Sequence, residues 1–303
     1  MLRRIERLPQ GLAAGERAMM EATKAELRAD IAAMLRAQQQ LAARDSSALA
    51  LFLTGEAANM MLRPDIALPA LAASSAQFAV TGGASAQGHV VQRLTAHHLL
   101  GEYDREMGLL NGKRAAFPRP TIFRARQLVA FAGLHQSAEA VAVADTLLRQ
   151  STDSIAYNVI AVVRGGEEFR VHGDSVTSQR LFNMVVTWFA AHPEPRSRPP
   201  TALSSGIAFL ATGSPDSAAS QFATLARDSA NLGGAGFLGL SAIAKGDRVR
   251  AVAIADSLGA LKRTWLFGEH TFWRAVILGA LGRPGEAVQL LRRAHREGQS
   301  MLS

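Results

Sequence analysis

The side chains best suited to chemistry gather in two short stretches. His97-His98 stand shortly before Glu102 and Glu106, and Glu269-His270 sit beside Trp265, Phe267, Phe272 and Trp273. On an unbroken helix His98 and Glu102, four apart, would put an imidazole and a carboxylate on one face, a spacing that can chelate a divalent ion. Two ligands do not make a metal site, and Gly101 between them is expected to end the helix. The aromatic residues around His270 are expected to be core between neighbouring helix pairs, with Trp273 packed. Gly234-x-Gly236-x-x-Gly239 matches the dinucleotide fingerprint, whose glycines need a preceding strand to aim a helix start at a pyrophosphate. Upstream, Phe222 to Asp228 is amphipathic helix instead, so these glycines are read as helix-packing positions. There are no cysteines, which removes disulfides, thiol nucleophiles and thiolate metal sites together. Neither a Gly-x-Ser-x-Gly elbow nor a His-Glu-x-x-His pair nor a phosphate loop occurs. The expectation is a non-catalytic chain with no cofactor and no metal; an enzyme on the His98 or His270 cluster is one alternative.

The elements that would carry these residues are helical. Hydrophobic residues make up 48% of the 303 positions and aromatics only 6%, an aliphatic composition that favours helix over sheet. The net charge is +8, and all basic residues except Lys24, Lys113, Lys245 and Lys262 are arginines. Scattered arginines read as a solvated surface; a module binding nucleic acid or another anionic partner is the alternative, resting on that charge alone. The first nine residues lack a signal-type apolar region, and no apolar run approaches the roughly 20 residues of a membrane span. A soluble protein with no membrane partner is expected, cytoplasmic if the chain is complete.

A repeat organises the chain. Glycines at 101, 133, 173, 213, 246 and 282 are spaced 32, 40, 40, 33 and 36 apart, each followed five residues later by Glu106, Ala138, Ser178, Ala218, Ala251 or Ala287. Arg63 before Leu68 and Arg28 before Ala33 extend the series without glycine. Seven residues before the last four glycines stand Gly166, Gly206, Gly239 and Ala275. Small residues flanking a turn glycine are what an antiparallel helix pair needs for close approach. Phe182, Phe222 and Leu291, nine residues after their glycines, fill the remaining space. Ala72 to Gly88 reads as a long loop between repeats. His192 to Pro200 reads as a longer connection, with a hinge at 192–200 as the alternative.

This pattern resembles the tetratricopeptide repeat, degenerate because the Trp of its first helix is missing and its closing Pro is matched only by Pro118. The resemblance covers the chain from about residue 20. Ala96 to Glu106 with Phe117-Pro118, and Leu266 to Ala275 with Leu281 to Ala287, are also similar to helical-repeat regions that follow kinase or regulatory domains in large bacterial signalling proteins. Kinase motifs themselves are absent. The resemblance implies one all-α, right-handed α-α superhelix over 1–303, a solenoid of about seven to eight hairpins that binds protein or peptide segments on a concave face lined by each first helix. In the glycine register that face carries His98, Phe123, Gln127, Glu167, Arg170, Glu269 and Phe272. Val288, Leu290, Leu291 and Ala294 on the last helix suggest an uncapped stacking face, expected to be covered by self-association, by another chain or by further sequence.

Overall fold

The computed structural model describes residues 13–28, 30–81, 83–117, 120–150, 155–192, 199–228, 231–263 and 266–297. Among these it contains sixteen α-helices, paired in sequence into eight hairpins, and no strand. The pairs are α1 Ala14–Leu27 with α2 Ile31–Arg44, α3 Ala48–Met60 with α4 Pro64–Thr81, α5 Gly83–Leu99 with α6 Tyr103–Gly112, and α7 Pro120–Gly133 with α8 Ser137–Arg149. They continue as α9 Ile155–Val171 with α10 Ser175–Ala191, α11 Pro199–Ala211 with α12 Pro215–Ala226, α13 Leu232–Ala244 with α14 Arg248–Gly259, and α15 Glu269–Ala280 with α16 Pro284–Arg296.

One turn chemistry builds these hairpins. In seven of them a single residue after the first helix has positive φ: Leu62, Gly101, His135, Gly173, Gly213, Gly246 and Gly282. Around each the same two bonds close the helix. In the fifth hairpin Gly173 N–H donates to the Arg170 carbonyl at 3.1 Å and Asp174 N–H to the Phe169 carbonyl at 2.9 Å. The second of these recurs as Arg63 to Ala58, Glu102 to His97, Gln136 to Phe131, Ser214 to Phe209, Asp247 to Ala242 and Arg283 to Leu278. This is the Schellman arrangement, which needs one left-handed residue to satisfy the last carbonyls. The residue after the pivot then starts the second helix, and Asp174 and Asp247 cap it by accepting from the Thr177 and Arg250 amides.

These pivots correct the glycine register twice. Gly133 lies inside α7, and the turn residue is His135; Arg63 follows the turn residue Leu62. Five residues beyond the true pivots stand Ala67 and Ala140, both fully buried, whereas Ala138 is exposed. With the register so fixed, the residues five and nine after the pivot are buried in hairpins two to seven. Across the hairpin, a Cβ on Gly166 would lie 3.0 Å from the Phe182 ring, and one on Gly239 would lie 2.5 Å from Ile277 of the next hairpin. Antiparallel pairing follows, since Gly166 and Phe182 sit at nearly equal distances from Gly173.

Ala72 to Gly88 is helix rather than loop: α4 runs through to Thr81 and α5 begins at Gly83. The small polar residues there bond back to their own helix, with both Ser74 and Ser75 hydroxyls donating to the Leu71 carbonyl at 3.0 Å. Two compact units result. One comprises 1–118, 263–268 and 295–303, and the other 119–262 and 269–294. The unit boundary in the first half thus falls at 118/119. Residues 193–198, central to the hinge expected at 192–200, lie outside the described residues. On the last helix Leu290 and Leu291 are half-buried, Ala294 is 1% exposed and Val288 is open.

Candidate partner-binding surface

In the second unit the first helices form one layer, α7 against α9, α9 against α11, α11 against α13 and α13 against α15, while the second helices α8 and α10 also pack together. Six residues before each pivot lie Val129, Glu167, Ile207, Leu240 and Val276, all half-buried. They form a row of aliphatic side chains, one per helix, interrupted by a single carboxylate. Burial pushes the Glu167 carboxyl up, with Arg170 and Arg164 pulling it back down and Glu168 adding repulsion. Arg170, one turn on, is exposed, and Leu210 and Ile243 occupy its place on the next two helices. This surface can offer apolar contact along its length and one acid-base pair at α9.

The expected site residues fall into three groups. Glu167, Arg170 and Phe272 keep partly or fully exposed side chains on first helices of this unit. Phe123 does not belong to the face: it is 4% exposed, part of the core. Counted from Gly133, Gln127 stands in register with Glu167 and Phe123 with Phe272; the true pivot, His135, moves both two positions out of that register. Gln127 is half-buried beside it. Glu269 accepts hydrogen bonds from the Trp273 side chain and the Gly233 amide, so it clamps the start of α15 to that of α13; burial is the larger influence and pushes its carboxyl up. His98 belongs to the other unit.

His98 and Glu102 do not share a helix face. α5 ends at Leu99, Gly101 turns the chain at φ 69°, and each histidine meets a different carboxylate. His97 Nδ1 lies 2.8 Å from Glu102 Oε2, and His98 Nδ1 lies 2.9 Å from Glu106 Oε2. Glu106 is fully buried at a position that is alanine in five other hairpins. Both pairs therefore staple α5 to α6 across the turn. Of the aromatic cluster Phe272 and Trp273 are half-buried, and Trp273 is packed as expected, meeting Phe237 at 4.7 Å and Phe272 at 5.3 Å. Trp265 lies outside the described residues, and Phe267 is 37% exposed. The three glycines of the fingerprint-like stretch stand in α13 against Leu225, Trp273 and Ile277, which confirms the packing reading.

The most informative comparison is with a solved structure, the Rap protein complexed with competence and sporulation factor. It superposes with a TM-score of 0.52 and 12% identity over 98% of this chain and 78% of that one. The fold is tetratricopeptide-repeat-like. Other similar structures are a tetratricopeptide repeat protein from Parabacteroides merdae, with a TM-score of 0.45, 10% identity and coverage of 95% and 94%, and the APC/C Cut9-Hcn1 hetero-tetramer, with 0.40, 11%, 98% and 55%. No family model matches the chain, and no curated protein matches it by sequence. No helix among the described residues is long and apolar enough to cross a membrane.

Spacing did not single out one feature of the second unit. A groove of about 1020 Å³ opens between α8 and α10, with Trp188 in it. Its residues come from two second helices some 40 positions apart, so only a tryptophan beside exposed Val176 and Arg180 on one helix could have signalled it.

Proposed function

We propose that this chain is a non-catalytic scaffold that holds a protein or peptide segment along the first-helix row of its second unit, in a signalling or regulatory setting. The observation that supports this reading best is the row itself, Val129, Glu167, Ile207, Leu240 and Val276, aligned by a turn that repeats from hairpin to hairpin. Neighbouring packed helices lie about 8–10 Å apart, so an extended segment crossing the row would meet a new side chain every two or three residues. Glu167 and Arg170 would fix its direction, and the aliphatic residues would supply contact area. The Rap structure, solved with competence and sporulation factor, favours a proteinaceous partner and a regulatory setting. A photo-crosslinking residue placed at Arg170 should join a discrete partner from cells of the source species, and Leu240→Asp should abolish that product. Identical products from a crosslinker at Val249, exposed on α14, would defeat the proposal.

A further inference from the structure

A groove lies between two of the second helices of the same unit. α8 and α10 run parallel: Ser137 at the start of α8 donates to Asp174, the cap of α10, at 2.7 Å, and Trp188 Nε1 near the end of α10 donates to the Leu148 carbonyl at 3.0 Å. Along the groove between them α10 sets Val176, Arg180, Asn183 and Thr187, one turn apart and exposed, over Met184 and Trp188. Val176 is 79% exposed, although it is aliphatic. The Trp188 indole is held edge and face, its N–H spent on Leu148 and one face stacked on His192 at 4.4 Å. His192 Nδ1 lies 2.9 Å from the Trp188 carbonyl, which can only accept, so the other ring nitrogen is turned away from that bond.

The groove's charge is unbalanced. Asp145 is its only acid and is paired with Arg149 one turn away, while Arg180 has no ionic partner among the described residues. An apolar floor with an ordered indole and an unspent guanidinium suits a ligand with apolar side chains and carboxylates. α10 rises about 25 Å over the groove, the reach of roughly eight extended residues.

We propose that the α8–α10 groove docks a short acidic segment of a partner protein, its apolar side chain over Trp188 and Met184 and a carboxylate on Arg180. This surface is made of second helices, so it is separate from the first-helix row and allows two segments to be held at once.

The test is selection of a random peptide library displayed on phage against the full chain, followed by binding of the selected peptides to variants. Enrichment of sequences with Asp or Glu flanking a large apolar residue is expected. Their affinity should fall about tenfold or more in Arg180→Glu and in Val176→Asp, both exposed positions that leave the fold intact by circular dichroism, and stay unchanged in Arg170→Glu and Leu240→Asp. Trp188→Ala should lose binding too, but it also breaks the Leu148 bond, so the surface variants decide. No enrichment, a consensus without acids, or acidic peptides that bind Arg180→Glu undiminished would overturn the proposal. Peptides lost only in Leu240→Asp would overturn it while supporting the first-helix row.

Discussion

Replacing Gly206 by alanine tests the packing logic directly. Gly206 is buried in α11, and a Cβ there would stand 2.6 Å from Cζ and 2.9 Å from Cδ1 of Phe222, where ordinary contact begins near 3.4 Å. Phe222 is fully buried and stacks on Phe237 at 5.0 Å, so its ring would have to retreat by most of an ångström against another ring. Overpacking of this kind costs about 1–3 kcal/mol. Alanine recovers about 1 kcal/mol over glycine inside a helix. With a rigid ring the cost sits at the upper end, leaving a net loss of about 1–2 kcal/mol. Two controls separate the effects. Gly285→Ala, in α16 with nothing within 4 Å, should be neutral or gain up to about 1 kcal/mol. Gly213→Ala meets no atom either but has φ +78°, so it should lose about 1 kcal/mol to backbone strain alone. Thermal unfolding followed by far-ultraviolet circular dichroism reads these as midpoint shifts of about 2–4 °C per kcal/mol. Adding Phe222→Leu to Gly206→Ala should cost less than the sum of the two changes, because the smaller side chain makes room. A Gly206→Ala protein as stable as the parent, or strict additivity in the double variant, would refute the close-approach argument.

The two pivots that are not glycine should respond in the opposite sense: His135→Gly and Leu62→Gly relieve positive φ and should raise the midpoint by up to about 1 kcal/mol equivalent, offset in part by glycine's greater freedom when unfolded. Burial holds the His89 imidazole below its ordinary range, helped by Arg93 and Lys113 and opposed by the Leu71 carbonyl at 2.7 Å. Its neutral form is therefore the one the fold keeps. Stability from this group is complete above the unfolded value of about 6.5 and drains away as pH falls below it, and His89→Gln should flatten melting midpoints measured across that window. Glu269 is pushed up from 4.5, chiefly by burial, so its charge works against folding at neutral pH. Glu269→Gln, whose amide oxygen can still accept from Gly233 and Trp273, should be neutral or stabilising at pH 7, with the advantage fading below about 4.5; a large loss at pH 7 would contradict this. Asp174→Ala removes the cap of α10 and the acceptor for Ser137, and denaturant titration should show a loss of about 1 kcal/mol.

The helical pairing was legible because glycine marks the pivot in five hairpins, and a left-handed turn residue has few substitutes. Where the pivot is Leu62 or His135 that signal vanishes, and the nearest conspicuous residues, Arg63 and Gly133, led the register astray by one and two positions. The misplacement of Phe123 follows from this alone. A side chain two positions out of register on a helix turns by about 200°, from an open face to the core. Charge pairing was legible only in part for a related reason: Gly101 was recognised as a break, yet the break itself reassigns His98 from Glu102 to Glu106. The α8–α10 groove was hidden because each of its walls is an ordinary amphipathic helix, and the concavity exists only once two hairpins are stacked.

The packing positions also explain how a tetratricopeptide-like fold persists with so little of the repeat's sequence. In three hairpins the residues seven before and nine after the pivot face each other, a missing side chain opposite a large one, whereas in the third hairpin both positions are leucine, Leu94 and Leu110, each fully buried. Gly55 opposes Leu71, Gly166 opposes Phe182 and Gly206 opposes Phe222. Close packing requires that each such gap be filled and leaves free which neighbouring residue fills it. Gly239 extends the same trade between hairpins, since its missing side chain is filled by Ile277 from α15, and Gly236 beside it receives the Trp273 ring. The gap each of these glycines leaves is thus filled by the second helix of the same hairpin or the first helix of the next. Patterns defined residue by residue lose such a chain, whereas the backbone, which registers only that the space is filled, keeps it.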